Sequence, residues 1–199
     1  MNGSPQHYLF AGVCGMGMAP LALYLRSRGD RVSGVDDYAD ARVRMMLEVG
    51  GVEFHDSVYP VDRPDVVVMS RALQHEGTRV DALRKLFPDA RFCFRGECLA
   101  EVAKGKRLLA VVGSHGKTTT TAMTIHRLLA EGLSPDYVLG GLFKHDAYPP
   151  SRWSPDSDWV VAEIDESDGT IEGFSPEVTV ITNLDWDHMD CYQSEDAML

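Results

Sequence analysis

The sequence predicts an α/β protein. Short apolar runs alternate along the chain with longer amphipathic stretches, and several runs are apolar almost throughout, as buried parallel strands tend to be. Two of these runs end in glycine-rich turns, and a helical pattern follows each turn. Repeated strand, turn and helix units of this kind build parallel sheets with helices on their faces.

Six apolar runs are predicted to be strands. They are "YLFAGV", "RVSGVD", "DVVVMS", "RLLAVVG", "DWVVAEID" and "EVTVITN". A helix is predicted between the first two, where apolar residues recur at helical spacing: Met18, Leu21, Ala22 and Leu25. Gly29 is a suitable C-terminal stop for it. Residues 148–158, rich in proline and serine, are predicted to be a loop.

Composition fits one or two globular domains, since 44% of the 199 residues are hydrophobic and 25% are charged. We place a domain boundary near "AEVAKGKR", which gives domains of residues 1–105 and 106–199. The second domain contains only three of the six predicted strands, and we expect its sheet to be incomplete.

Charge and patterning exclude several classes of partner. The net charge of -11 and the lack of a Lys/Arg run argue against nucleic-acid binding, so local positive groups must hold any anionic ligand. No run of 18 apolar residues and no signal-peptide pattern occurs, so we expect no membrane association. The four cysteines show neither C-x-x-C nor zinc spacing, which favours reduced thiols in a cytoplasmic protein.

The second glycine turn has the residue types of a phosphate-binding loop. It comprises Gly113, Ser114, His115, Gly116, Lys117, Thr118 and Thr119. Free amide groups and the helix dipole at a helix N-terminus attract phosphate oxygens, lysine reaches the β/γ-phosphates, and the threonine hydroxyl is a ligand for Mg²⁺. This predicts a P-loop-type unit that binds phosphate groups. A full signature has glycine where Val111 stands, and a surface turn with a basic residue is the alternative.

The first glycine turn resembles a dinucleotide fingerprint without matching it fully. Gly12, Gly15 and Gly17 follow a strand, but Pro20 stands where a small residue belongs. Asp36 ends the next strand, where a ribose-contacting acid commonly lies. We therefore expect a Rossmann-like unit that binds a nucleotide diphosphate, the alternative being glycines that serve only a tight turn.

Carboxylates cluster after the last two predicted strands, in "AEIDESDGT" and "TNLDWDHMD". Ligands of open α/β sheets bind beyond the carboxyl ends of strands, so both clusters can face the phosphate loop. Glu163 could complete a magnesium shell begun by Thr118. Taken singly, any one of these acids is more simply interpreted as a solvated loop carboxylate than as a metal ligand. His188 alone is likewise more simply interpreted as a structural or surface histidine.

In combination, these stretches resemble the muramyl ligases, the ATP-dependent enzymes that add amino acids to the UDP-linked muramoyl precursor of peptidoglycan. The central-domain motifs of that family resemble "GSHGKTTTTAM", "GGLFK", "AEIDESDGT" and "ITNLDWDHMDCY", and its UDP-binding domain resembles "GVCGMGM", "VSGVD" and "VVVMSRAL". The family's loop has the shorter G-x-x-G-K-[ST] form, which accounts for Val111.

The resemblance implies a role for each matching residue. Lys117 holds the ATP phosphates, Thr118 and Glu163 bind Mg²⁺, and His188 serves a second metal or phosphate site. Asn183 and Glu166 match the same motifs, with Asn183 assigned to the ATP site. The UDP site is implied to contain Gly15, Gly17, Asp36 and Ser70. Arg71 stands where the family has a small residue, and two alternatives stay open for it: a second cation on the pyrophosphate, or a harmless change at the surface.

The implied reaction joins L-alanine to UDP-N-acetylmuramate in the cytoplasm, with ATP and Mg²⁺, through an acyl phosphate. Because the sequence stops at "SEDAML", we expect a fragment that is inactive alone. Two alternatives stay open: a ligase that attaches a tripeptide to the same sugar nucleotide, and a non-catalytic nucleotide-binding module. The serine in "DESDGT" favours alanine over the tripeptide.

Overall fold

The computed structural model describes residues 4–57, 62–144, 148–165 and 169–183. The first five strands are β1 (His7–Ala11), β2 (Arg31–Val35), β3 (Glu53–His55), β4 (Val66–Met69) and β5 (Arg91–Phe94). The helices between and after them are α1 (Met18–Arg28), α2 (Ala41–Val49), α3 (Gly77–Leu86) and α4 (Arg95–Ala103). The remaining elements are β6 (Arg107–Val112), α5 (Lys117–Ala130), β7 (Asp136–Val138), β8 (Ser151–Arg152), β9 (Trp159–Glu163) and β10 (Val178–Ile181). Short 3-10 helices span Arg71–His75 and Ile171–Gly173.

The strands form two sheets of five within the described ranges. The first has the order β3-β2-β1-β4-β5 and is parallel throughout. The second has the order β10-β6-β9-β7-β8 and is parallel except for β8, which pairs antiparallel with β7. The predicted α/β class is confirmed.

Side chains of β1 alternate between two hydrophobic clusters, as the period of a strand requires. Tyr8 and Phe10 belong to the cluster that contains α1, whereas Leu9 and Ala11 pack with Leu83 of α3. Helices therefore cover both faces of the first sheet, which explains why its central strands are apolar throughout.

Helix α1 packs against both sheets. The prediction gave it one apolar stripe, but Ala19, Pro20 and Tyr24 are buried as well. One continuous cluster joins α1 to Val138 and Val160 of the second sheet. A helix buried on several sides carries apolar residues around most of its circumference. The left-handed conformation of Gly29, at φ 104°, ends the helix as predicted.

A buried carboxylate also links α1 to the second sheet. Asp136, which is 0% exposed, accepts hydrogen bonds from the Tyr24 hydroxyl at 2.8 Å and from the Lys106 ammonium at 2.5 Å. The backbone amide of Ser154 donates to its other oxygen at 2.8 Å. Burying a charge is costly unless it is paired and hydrogen-bonded, and all three partners meet that need here.

Each of the six predicted strands is present, but four further strands were missed. β3, β5, β7 and β8 have two to four residues and contain polar or charged side chains, so they lack the long apolar run that signals a buried strand. The loop expected over residues 148–158 contains β8. None of the helices in the described ranges is long and apolar enough to cross a membrane.

Candidate functional site: two glycine turns that face each other

The carboxyl ends of the two sheets lie close together. Arg95, directly after β5, has Nη2 at 3.8 Å from Oδ2 of Asp165, which follows β9. A Cβ placed on Gly169 would lie 3.7 Å from Nη1 of Arg71, which follows β4. Loops at the carboxyl ends of parallel strands form the ligand sites of open α/β sheets. Both sets of loops therefore border one region of the molecule.

The phosphate loop after β6 depends on two glycines in left-handed conformations. Gly113 has φ 125°, and Gly116, the N-cap of α5, has φ 78°. A Cβ on Gly113 would also collide with the hydroxyl of Thr182 and the backbone of Asn183. No other residue type adopts these angles without strain. The loop conformation thus explains the glycine spacing seen in the sequence.

Lys117 lies at the start of α5 and is 9% exposed. Its ammonium donates to the carbonyl oxygen of Gly113 at 2.7 Å and lies 3.9 Å from Oδ1 of Asp165. The positive charge of Lys117 therefore lies next to the backbone of the phosphate loop. A phosphate bound at the N-terminus of α5 would meet both this ammonium and the positive end of the helix dipole.

Asn183 and Thr182, after β10, fix the loop from its far side. Asn183 Oδ1 accepts from the backbone amide of His115 at 2.9 Å, and Asn183 Nδ2 donates to the His115 carbonyl at 3.0 Å. The Thr182 hydroxyl donates to the same carbonyl at 2.7 Å. These bonds hold the backbone of the loop in shape.

Glu163, the last residue of β9, faces the first turn of α5. The Thr118 hydroxyl donates to Glu163 Oε1 at 3.1 Å, while Oε2 is buried and has no hydrogen-bond partner among the described residues. Burial raises the pKa of the Glu163 carboxyl. The hydrogen bond from Thr118, the charges of Lys117 and Arg95 and the nearby backbone amide of Gly140 oppose that rise only in part. A buried carboxylate oxygen left without a partner suits a cation.

Two adjacent glycines make room for this pair. A Cβ on Gly140 would overlap the Glu163 carboxylate, and a Cβ on Gly141 would lie 2.9 Å from the Thr118 methyl group. The "GGLFK" stretch thus allows the backbone after β7 to approach the carboxylate closely. A larger residue at position 140 would displace the carboxylate that a metal ion would use.

The glycine turn after β1 has its own set of contacts. Asp36 Oδ2 accepts from the backbone amide of Cys14 at 2.8 Å, which ties the end of β2 to the turn. Gly12 has φ 83°, and a Cβ there would lie 2.7 Å from the Ser70 hydroxyl. Gly17 is the N-cap of α1, and no side chain in the described ranges caps this helix end. Gly15 is exposed and Gly17 is half-buried, and the backbone amides of Met18 and Ala19 donate to the Gly15 carbonyl.

The structure divides the predicted site residues into two groups. One surrounds the loop after β6: Gly113, Ser114, His115, Gly116, Lys117, Thr118, Thr119, Glu163 and Asn183. The other surrounds the turn after β1: Gly15, Gly17, Asp36 and Ser70. His188 and Glu166 lie outside the described residues. Within the described part, no three His, Cys, Asp or Glu side chains are arranged to hold a metal ion by themselves.

Sequence reasoning missed Arg95. Its side chain is only 15% exposed and lies between the two groups, near both Gly17 and Asp165. A signal was present, since a residue at the carboxyl end of a strand belongs to the ligand-binding edge. Because β5 was not predicted, that position could not be recognised.

Comparison with known proteins finds relatives of a single kind among those most similar in sequence. Residues 111–199 match the model of the Mur ligase middle domain. The UDP-N-acetylmuramate–L-alanine ligase of Bdellovibrio bacteriovorus is 39% identical over 190 residues, which cover 93% of this chain and 40% of that protein. The enzyme of the same name from Rhizobium meliloti is 36% identical over 191 residues, covering 95% and 40%. The chain thus spans about 40% of the length of these curated relatives.

Solved structures show the same fold. The UDP-N-acetylmuramate-alanine ligase of Thermotoga maritima superposes with a TM-score of 0.85 at 28% identity, over 97% of this chain and 45% of that one. A UDP-N-acetylmuramate:L-alanyl-gamma-D-glutamyl-meso-diaminopimelate ligase from Neisseria superposes with a TM-score of 0.81 at 25% identity, over 98% and 65%. The similarity extends over both sheets in each case.

Proposed function

We propose that this chain, whose residues 111–199 match the Mur ligase middle domain, is part of a Mur ligase and supplies the sugar-nucleotide site and part of the ATP site of an enzyme that joins L-alanine to UDP-N-acetylmuramate. The observation that carries this proposal is the approach of the two glycine turns, linked through Arg95, Asp165 and Lys117. Two nucleotides that must react with each other require two anion sites that share one cleft.

We assign the turn after β1 to the sugar nucleotide. Its diphosphate would lie at the N-terminus of α1, beside Gly15 and Gly17, where no side chain in the described ranges caps the helix. Asp36 and Ser70 border this turn and would contact the nucleotide. This placement directs the muramoyl end of the substrate toward the second sheet.

We assign the loop after β6 to the phosphates of ATP. The carboxylate of the sugar attacks the γ-phosphorus, the bond to the bridging oxygen of ADP breaks, and an acyl phosphate forms. The amine of L-alanine then attacks the acyl carbon, loses a proton and expels inorganic phosphate to leave the amide. In the first step two anions meet, so Lys117 and the helix dipole at Gly116 lower the barrier by stabilising charge.

Mg²⁺ fits the residues beside this loop. The partnerless Oε2 of Glu163 and the hydroxyl of Thr118 are hard oxygen donors, which this ion prefers. When bound, the ion would neutralise charge on the phosphates. Glu163 would hold it without a proton, and Gly140 keeps space for that carboxylate. We also propose a cytoplasmic location, which the free, buried cysteines Cys14, Cys93 and Cys98 support.

Turnover of the protein in the length its gene encodes tests the proposal. ADP release should require both UDP-N-acetylmuramate and L-alanine, and the product should contain one new amide. Release that responds to L-alanyl-γ-D-glutamyl-diaminopimelate and not to L-alanine would replace the proposed amine with the tripeptide. Tight binding of UDP-N-acetylmuramate with no ADP release under any of these conditions would show a non-catalytic binding module.

A further inference from the structure

Arg95, the first residue of α4, lies against the start of α1. A Cβ placed on Gly17 would be 2.6 Å from Nη1 of Arg95, 3.0 Å from Cδ and 3.1 Å from Cζ. The guanidinium and its stem therefore pass directly over the glycine that caps α1. The absence of a side chain at position 17 is what allows this contact.

The other side of the guanidinium faces the second sheet. Nη2 lies 3.8 Å from Oδ2 of Asp165, whose Oδ1 lies 3.9 Å from the Lys117 ammonium. Asp165 is thus flanked by two cations, one beside each glycine turn. Arg95 also adds positive potential at Glu163, where its charge opposes the rise in the carboxyl pKa. Its charge acts on both sites.

Resting on the function proposed above, we infer that Arg95 is a substrate-binding residue that holds the sugar nucleotide where it crosses from the first sheet to the second. The diphosphate lies at the turn after β1 and the reacting carboxylate must reach the loop after β6. Arg95 lies between these two positions, since it contacts Gly17 on one side and lies 3.8 Å from Asp165 on the other. A guanidinium offers five donors in a planar fork and binds two anionic oxygens at once.

Net charge makes such a residue necessary. The chain carries a formal charge of -11, so its average field repels a substrate with a diphosphate and a carboxylate. Arg95 counters this repulsion beside the turn after β1, and its guanidinium lies 3.8 Å from Asp165.

The contact with Arg95 also explains why position 17 is a glycine. The three atoms nearest to a side chain at position 17 would all belong to the flexible side chain of Arg95, so the fold should tolerate the substitution while Arg95 moves aside. A substitution of Gly17 is thus expected to weaken substrate binding through Arg95. Sequence reasoning had attributed the glycine to the approach of the diphosphate itself.

Titration calorimetry of the 199-residue chain with UDP-N-acetylmuramate tests this inference. Arg95→Ala should weaken binding by about 10- to 100-fold, the loss expected for hydrogen bonds to a charged group. Arg95→Lys keeps the charge but lacks the planar guanidinium, so its affinity for UDP-N-acetylmuramate should lie between those of the wild type and Arg95→Ala. Gly17→Ala should weaken binding as well, and the Gly17→Ala/Arg95→Ala pair should bind no more weakly than Arg95→Ala alone.

Arg91→Ala is the matched control, since Arg91 lies at the opposite end of β5 in an exposed ion pair with Glu101. It should bind like the wild type, and all variants should melt within a few degrees of it. Wild-type affinity in Arg95→Ala would overturn the role of Arg95. Losses that simply add in the double variant would overturn the link to Gly17. If the wild-type chain fails to bind UDP-N-acetylmuramate, the proposed function itself fails.

Discussion

Replacing Tyr24 with phenylalanine removes one hydrogen bond from the contact between α1 and the second sheet and leaves the ring in place. Tyr24 is 1% exposed, and its hydroxyl donates at 2.8 Å to Asp136, which is 0% exposed. Burial and the negative charge of Asp136 raise the pKa of the Tyr24 hydroxyl, so it remains a neutral donor. A hydrogen bond to a charged acceptor contributes about 1.5–3 kcal/mol. Asp136 keeps Lys106 and Ser154, so we expect a loss of about 2 kcal/mol.

Tyr137→Phe is the matched control for this prediction. Tyr137 is also 1% exposed, but its hydroxyl donates at 3.2 Å to a neutral acceptor, the carbonyl of Pro149. Its loss should cost about 0.5–1.5 kcal/mol. Urea unfolding at 25 °C gives both values from the shift in midpoint, provided that the slope m is unchanged. If Tyr24→Phe costs no more than Tyr137→Phe, the buried contact at Asp136 does not join α1 to the second sheet as described.

Three further predictions follow from the site and the sheets. Lys117→Met keeps the buried stem and removes the ammonium. It should leave the melting temperature within a few degrees but cut turnover of the complete enzyme by about 10²-fold or more. Near-normal turnover would exclude a role of Lys117 in phosphate binding. Because the folded pKa of Glu163 is raised, the native chain binds a proton more tightly than the unfolded chain, so the carboxyl costs stability as pH rises. Melting curves should thus show the wild type losing stability relative to Glu163→Gln as pH rises above about 4, and parallel curves would contradict the burial cost. Hydrogen exchange should be slow in β1 and β4 and faster in β10, which lies at the edge of its sheet with Val178 and Ile181 exposed; equal protection would refute this ranking.

The elements that sequence predicted well are those whose pattern is local. The apolar runs of β1, β4 and β6 are buried on both faces, so nearly every residue in them reports its environment. The glycines at 113 and 116 were recognisable because left-handed backbone angles demand that residue type.

Features that depend on distant parts of the chain could not be predicted. From the sequence, Asp136 would be expected on the surface. Its burial is explained by the hydrogen bonds that it accepts from Tyr24, 112 positions away, from Lys106 and from the Ser154 amide. The additional buried residues of α1 are explained by its packing against the second sheet, which the local sequence pattern does not reveal. Arg95 was missed because β5 has only four residues and its first is a charged arginine. Each of these depends on packing between segments that are separated in sequence.

Simultaneous binding of two nucleotides tests the central claim most directly, since that claim places one anion site on each sheet. The 199-residue chain should bind one UDP-N-acetylmuramate, and saturating Mg²⁺·ADP should not displace it in a competition titration. Lys117→Met should weaken Mg²⁺·ADP and leave the affinity for UDP-N-acetylmuramate unchanged. Displacement of one nucleotide by the other, or equal loss of both in Lys117→Met, would contradict the assignment of the two glycine turns to separate ligands.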